Sequence, residues 1–404
     1  MAAPGMRLLE GVRVLDLTNV LAGPFCCYQF AQAGADVVKV EVPGSGDLAR
    51  QLGADPALNR RLMGASFLAQ NAGKRSITVN LKHPQGRAAF LRLAAKADVV
   101  VENFRPGVMD RLGVGYDTLR AVRPELVYCA ISGFGQTGPL RDNPAYDQIV
   151  QGLSGVMGIT GDAASAPLRV GFPICDTIGG LTAAFAVAAA LNRVARGGGG
   201  AFLDVSMLEA TVAAMGWPVS NHLIAGVEPQ PMGNENATAA PSGAFRTADG
   251  LLNIAANQQV QFETLCDVIG RPELRTDPRF ADREARKRNR YVLRDEIEAA
   301  LAADSAGAWE VRLNRAGVPA GRILSVPQVL AEPVVEERRM LRRFDAVEGL
   351  DRGVTVVRAG FAVDGEGAAP DIPPPALGQD TDAILAEAGF TADETAALRA
   401  AGAV

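Results

Sequence analysis

Short β-branched runs alternate with Ala- and Leu-rich stretches through the first two hundred residues, and this rhythm constrains the fold more than any other feature. Arg13–Leu17, Asp36–Glu41, Ser76–Leu81, Asp98–Glu102 and Leu126–Ala130 read as strands. Their apolar residues are nearly continuous rather than alternating with polar ones, as in strands buried on both faces. Pro24–Ala33 and Pro84–Ala97 read as helices, the second with apolar positions near a 3.6-residue spacing. Such alternation predicts a parallel sheet covered on both sides, a Rossmann-like doubly wound α/β domain. A long Ala-rich helix begins near Asp176 and is interrupted at Gly197–Gly200, after which Phe202–Ser206 reads as a strand and Met207–Gly216 as a helix.

A chain of 404 residues is long for one compact core, so a second domain is expected. The polar, turn-rich run Glu228–Ser242 marks a crossing into it. The stretch Phe245–Val318 would form its body, with a strand around Gly250–Ala255 and one charged helix over Arg283–Ala303. A proline-rich stretch, Asp371–Pro375, precedes a final helical pair.

Net charge is −5, which argues against a broad nucleic-acid-binding surface but leaves room for a local basic pocket. The N-terminal run MAAPGMRLLEGVRVLDL lacks the basic and apolar regions of a signal peptide. The most membrane-like stretch, 14 residues from Ile178 to Leu191, is shorter than the ~20 of a spanning helix, so a buried helix and no membrane association are expected. Five cysteines without a CxxC pair point to a reducing, cytoplasmic setting. Only His83 and His222 are available as histidines, too few for a multi-histidine metal site, and no metal is expected.

Two glycine runs invite a nucleotide reading. Gly44-Ser45-Gly46-Asp47-Leu48-Ala49 and Gly133-Phe134-Gly135-Gln136-Thr137-Gly138 both fit a dinucleotide fingerprint after a strand. Neither opens an apolar helix, and neither has an acidic residue at a strand end about 20 residues on, so a nicotinamide oxidoreductase is disfavoured. The run Glu102-Asn103-Phe104-Arg105-Pro106-Gly107-Val108-Met109-Asp110-Arg111 is more telling. It lies at the C-terminal end of a predicted strand, and its arginines and ring suit phosphate and adenine. A solvated turn ending in a helix capped by Arg111 is the plainer alternative. Asp176, at the start of an apolar helix, reads locally as an N-cap accepting first-turn amides.

Taken together, these runs resemble the class III CoA-transferase family, which includes formyl-CoA, carnitine and dicarboxylate CoA-transferases; the alpha-methylacyl-CoA racemases share its fold. The matching segments are Val14–Leu17 with Ala22–Pro24, Gly34–Glu41, Asn71–Ile77, Glu102–Gly107 and Ser132–Pro139. Tyr146-Asp147, Pro173 with Asp176, Gly179-Gly180, Asp204–Met207, Gly317–Ala320 and Leu377–Gln379 follow in order. The resemblance implies that Asp176 is the catalytic carboxylate, with Tyr146 and Asp147 in support. It implies CoA contacts from Leu21, Ala22, Lys74, Arg75, Asn103, Phe104, Arg105 and Arg111, and a pantetheine path past Gln136, Thr137, Gly138 and Pro139. It also implies a large domain from both chain ends (1–225 and 326–404) around a smaller middle domain (226–325), in an interlocked homodimer.

The chemistry this implies is nucleophilic. Asp176 attacks an acyl-CoA thioester to give a mixed anhydride, and returning CoA thiolate gives an aspartyl-CoA thioester that the acceptor acid then resolves. CoA and acyl-CoA are substrates, and no tightly bound cofactor is required. The helix-cap amides around Asp176 are expected to stabilise the oxyanion. The racemases carry a His-Asp pair where this chain has Tyr146-Asp147, and tyrosine is a poor base near neutral pH. That difference favours a transferase over the alternative readings, a racemase or epimerase and a non-catalytic acyl-CoA-binding protein. The four-glycine run of formyl-CoA transferases is absent at Met232–Thr238, which disfavours formyl-CoA and oxalate and favours succinyl-CoA with a small dicarboxylate. Arg246 is a candidate partner for a distal carboxylate.

Overall fold

The computed structural model describes residues 7–404; residues 1–6, the start of the stretch that argues against a signal peptide, lie outside the described residues. The chain divides into two compact units, the first formed by 7–156, 169–226 and 333–404 and the second by 157–168 and 227–332. The boundary thus differs from the expected one in two ways. A short excursion, 157–168, joins the middle unit, and the chain returns to the large unit at Pro333 rather than at 326.

The first unit is built on six parallel strands: β1 (Arg13–Asp16), β2 (Asp36–Glu41), β3 (Lys74–Thr78), β4 (Val99–Glu102), β5 (Val127–Ser132) and β6 (Ala201–Ser206). Their order across the sheet is β3-β2-β1-β4-β5-β6, that of a doubly wound dinucleotide-fold sheet. Strand β3 begins two residues before the predicted Ser76, and the Pro84 helix ends at Ala94 rather than Ala97.

The unbroken apolar strands are explained by two cores. Leu15, Val38, Ile77, Val100 and Tyr128 point to one face, where Phe90, Ile384 and Leu398 cover them. Val14, Val37, Val99, Val101 and Cys129 point to the other, beneath the helices Ala22–Gln32 and Ile174–Ala195. Ile384 and Leu398 belong to the last two helices, Thr381–Glu387 and Ala392–Ala400, so the C-terminal segment completes the core of the N-terminal sheet.

The helix Ile174–Ala195 is 22 residues long and extends past both ends of the 14-residue apolar stretch, and its mean hydropathy of 1.7 over 18 residues would by length and composition suffice to cross a membrane. One face is buried, along Cys175, Gly179, Gly180, Ala183, Val187 and Ala190. Gly180 lets it approach the Ala22 helix closely, since a β-carbon there would lie 2.5 Å from the Ala22 carbonyl oxygen. Its outer face leaves Leu181 and Phe185 exposed, the latter by 76%.

In the second unit, β7 (Ser242–Arg246), β8 (Leu251–Ala255) and β9 (Ala320–Arg322) form an antiparallel sheet. Phe245, Leu252, Phe262, Leu293, Ile297 and Trp309 fill its core. The charged helix expected over Arg283–Ala303 is two helices, Arg283–Arg288 and Arg290–Leu301, broken at Asn289.

Candidate active site

Strand order reverses between β1 and β4, so the loops leaving their C-terminal ends run apart and open a crevice. Two asparagines tie the loops together at its base. The Asn19 N–H donates to Asn103 Oδ1 and Asn103 Nδ2 donates to the Asn19 carbonyl, both at 2.8 Å. The next residue, Val20, sits at φ +68°, a left-handed conformation that strains a β-branched side chain by ~1–3 kcal/mol. Its N–H donates to Asp47 Oδ1 at 2.9 Å, and Asp47 Oδ2 pairs with the buried Lys39 ammonium at 3.0 Å. On the β4 side, Glu102 accepts the Phe104 N–H at 2.8 Å and the Tyr128 hydroxyl at 3.3 Å. Burial pushes the Glu102 carboxyl up to about 7 despite those bonds, and the nearby Asp110 adds to the rise.

A cavity of about 370 Å³ occupies the crevice. Of the residues expected at the site, Leu21, Ala22, Asn103, Phe104, Arg105, Tyr146 and Asp176 line it. Asn19, Val20, Arg141 and Met207 line it too and were not foreseen; a strand end at the sheet's reversal point was the available signal for the first two.

Asp176 lies in the first turn of its helix, but it does not cap it. Pro173 stands at the N-cap, and the cap is supplied from outside by Asp147. Asp147 Oδ1 accepts the Cys175 N–H at 2.9 Å and the Asp176 N–H at 3.3 Å. Asp147 is itself held by Gln151 Nε2, which donates to its other oxygen at 2.6 Å, with the Arg169 guanidinium 3.7 Å away. Gln151 also accepts the Val170 N–H at 2.9 Å, so one short helix, Asp147–Ser154, organises the approach to the turn that carries Asp176. Two expectations are corrected together: Asp176 is not the cap, and the Cys175 and Asp176 amides are engaged by Asp147 rather than open to an oxyanion.

The Asp176 carboxylate accepts no hydrogen bond from any described residue. Burial pushes its pKa up to about 7, and the neighbouring Asp147 charge adds to the rise. A partly buried carboxylate with a raised pKa facing a cavity is a candidate reactive group.

Lys74 and Arg75 are not at the crevice. The Lys74 ammonium is fully buried, 2.8 Å from Asp16 Oδ2 and 2.9 Å from the Pro24 carbonyl, where it neutralises a carboxylate beneath the sheet edge. Arg75 is spent on Asp36 and Glu387, at 2.8 and 2.7 Å. Gln136, Thr137, Gly138 and Pro139 do not line the cavity; the Gln136 N–H is turned to the Asp204 carboxylate at 2.9 Å, and residues 131–134, 141 and 143–146 on either side take their place. Arg111 ends the short helix Val108–Arg111, and its guanidinium reaches back toward Gly107. In the second unit, Arg246 pairs with Glu298 at 2.7 Å instead of standing free for a substrate. Neither glycine run opens a long helix: the first leads into a 3-10 turn, Leu48–Gln51, and the second into a bend. Among the described residues, no group of three His, Cys, Asp or Glu side chains is arranged to hold a metal.

Residues 9–381 match the family model of CoA-transferase family III. The chain belongs to CoA-transferase family III, and with it to the enzymes that transfer coenzyme A. It is 42% identical over 333 residues to an acetyl-CoA:oxalate CoA-transferase of Acetobacter aceti, covering 82% of this chain and 85% of that protein. It is 37% identical to a succinyl-CoA–D-citramalate CoA-transferase of Chloroflexus aurantiacus, covering 98% and 97%, and 36% identical to a succinate–glutarate CoA-transferase of Agrobacterium fabrum, covering 94% and 95%. The crystal structure of a CAIB/BAIF family protein from Brucella suis matches with a TM-score of 0.81 at 34% identity, covering 95% of this chain and all of that one.

Proposed function

We propose that the protein moves CoA between an acyl-CoA, succinyl-CoA being the favoured donor, and a small dicarboxylic acid, through covalent intermediates on Asp176. The observation that carries this reading is the unbonded Asp176 carboxylate in the cavity at the sheet's reversal point. The ionised Oδ attacks the thioester carbonyl, the C–S bond breaks, and CoA leaves as thiolate. The thiolate then attacks the Asp176 acyl carbon of the anhydride, releasing the donor acid and leaving an aspartyl-CoA thioester. The acceptor carboxylate displaces the thiolate in turn, and the thiolate takes the acceptor's acyl group, restoring Asp176. Every bond broken is matched by one formed, and no net proton or electron is consumed.

Tyr146 supports transfer over racemisation, since a base for carbon 2 is missing where the racemases carry histidine. The relatives named above act by their names on oxalate, citramalate and glutarate. Oxalate therefore returns to the set of acceptors, although the missing glycine run argued against it. A CoA-exchange panel pairing succinyl-CoA or acetyl-CoA with oxalate, glutarate, mesaconate and citramalate should yield a new acyl-CoA for at least one pair. Exchange confined to monocarboxylates would overturn the dicarboxylate assignment, and deuterium uptake at carbon 2 without exchange would favour the racemase.

The reading extends to a homodimer in the cytoplasm. The exposed apolar face bearing Phe185, together with Trp217, Leu223 and Ile224 on the helix Trp217–Ala225, supports burial against a second copy. The five free, buried cysteines support a reducing compartment.

The charge of Asp147 gives a pH test. The reactive form of Asp176 is the anion, so kcat/KM should fall as pH drops through about 7. Asp147→Asn keeps an oxygen to cap the Cys175 amide but removes the repelling charge, and should move that acid limb down by roughly one pH unit. An unmoved limb would separate the profile from the Asp147–Asp176 pair.

A further inference from the structure

Gln151 is fully buried on the helix Asp147–Ser154, and both polar atoms of its side chain are engaged along the approach to Asp176. Its Nε2 donates to Asp147 Oδ2 at 2.6 Å and to the Phe172 carbonyl at 3.4 Å, while its Oε1 accepts the Val170 N–H at 2.9 Å. Turning the amide over would set oxygen against a carboxylate and a carbonyl, and N–H against N–H, so the three partners fix one orientation. Residues 170–172 and Asp147 are thereby held as one piece. Asp147 in turn receives the Cys175 and Asp176 N–H groups on its Oδ1. Donors thus meet both oxygens of Asp147. The Asp176 carboxylate beside it receives none, and burial and the Asp147 charge both raise its pKa.

We infer that Gln151 is a positioning residue for the transfer: it fixes the charged Asp147 against the turn of Asp176, so that acylation of Asp176 releases a repulsion and the covalent intermediates are favoured. This role rests on the covalent reading of Asp176. When Asp176 Oδ bonds the thioester carbon and the C–S bond breaks, the negative charge of the carboxylate leaves with the CoA thiolate. Asp176 is neutral in both the anhydride and the aspartyl-CoA thioester. The Asp147 charge therefore opposes the free carboxylate and neither intermediate. Without the Gln151 N–H, Asp147 turns away or is neutralised, and the bias is lost. The half-exposed Arg169 guanidinium, 3.7 Å from Asp147 Oδ2, offsets part of the same charge from the solvent side.

The experiment incubates the full chain with succinyl-CoA and no acceptor, quenches in acid, and reads the ratio of adduct-bearing to free protein by intact mass spectrometry. The adducts counted are a succinyl group and CoA, and circular dichroism confirms folding of each variant. Gln151→Met keeps the side-chain length without the amide and should lower the ratio by about tenfold, as expected for one lost charge-assisted bond. In an Asp147→Asn background, where the ratio is already lowered, Gln151→Met should have little further effect, because its influence runs through that charge. Arg169→Gln should raise the ratio by about twofold, an opposite sign that a general loss of structure would not give. Should Gln151→Met not fold, Arg169→Gln decides alone. A wild-type ratio in Gln151→Met, an undiminished loss in the Asp147→Asn background, or a lowered ratio in Arg169→Gln would overturn the role of Gln151 while leaving the covalent reading intact. A wild type that exchanges CoA without any adduct would overturn both.

Discussion

Asp176→Asn should reduce CoA transfer by about a thousandfold or more while leaving a folded protein that is more stable than the wild type above neutral pH. The loss follows because an amide has neither the charge nor the nucleophilicity to open a thioester. The gain in stability follows from linkage. Burial and Asp147 raise the folded pKa of Asp176 from 3.8 to about 7, so its favourable contribution is complete below about 4 and is lost as pH rises to 7. Above 7 the buried charge opposes folding, by roughly 1–3 kcal/mol, and the asparagine variant escapes that cost. Urea unfolding at pH 8 and pH 4 should therefore show the variant ahead at the higher pH and level at the lower. A variant that transfers CoA at the wild-type rate, with deamidation excluded by mass spectrometry, would remove Asp176 from the chemistry. One that is less stable at pH 8 would remove the electrostatic account of its environment.

The second large effect lies beneath the site. Asp16 is fully buried between Lys74 at 2.8 Å and Lys39 at 3.8 Å, and also accepts the Thr18 hydroxyl at 2.5 Å. Asp16→Asn strands positive charge in the interior and should destabilise the protein by about 3–5 kcal/mol at pH 7. Burial alone would raise the Asp16 pKa, but the two lysines win and hold it near 2. Its stabilising contribution is thus present above about 4 and disappears as pH falls through 2, so the gap between wild type and variant should close with acid. A loss below about 1 kcal/mol at pH 7 would contradict this and would mean that Asp47, 3.0 Å from Lys39, suffices to hold the charge. Because Asp47 also holds Val20 at the cavity, loosening this network should raise the acyl-CoA KM of the surviving folded enzyme.

Strands β1, β2, β4 and β5 were legible because residues buried on both faces leave an unbroken apolar signature, and that signature predicted the parallel sheet and hence the edge where the site forms. Asp176 was legible as a reactive residue only through the chain-wide resemblance; its local pattern suggested a helix cap. The cap belongs to Asp147, 29 residues upstream, and no local pattern reveals a carboxylate brought in from another helix. Lys74 was expected with Arg75 at the CoA site, yet its partner Asp16 lies 58 residues away, on the far side of β2. Arg141 went unnoticed because the proline- and glycine-rich loop that carries it has no periodicity, and Gly107 draws it toward Arg111 only once β4 and β5 lie side by side.

The most direct measurement is a trapping experiment on the wild-type protein. Incubation with succinyl-CoA followed by hydroxylamine, proteolysis and peptide mass spectrometry should find a hydroxamate on Asp176, formed from its anhydride or CoA thioester. The Asp176→Asn protein treated alike should carry none. An Asp176 that stays unmodified while CoA exchange proceeds, or a hydroxamate on any other carboxylate, would contradict the account.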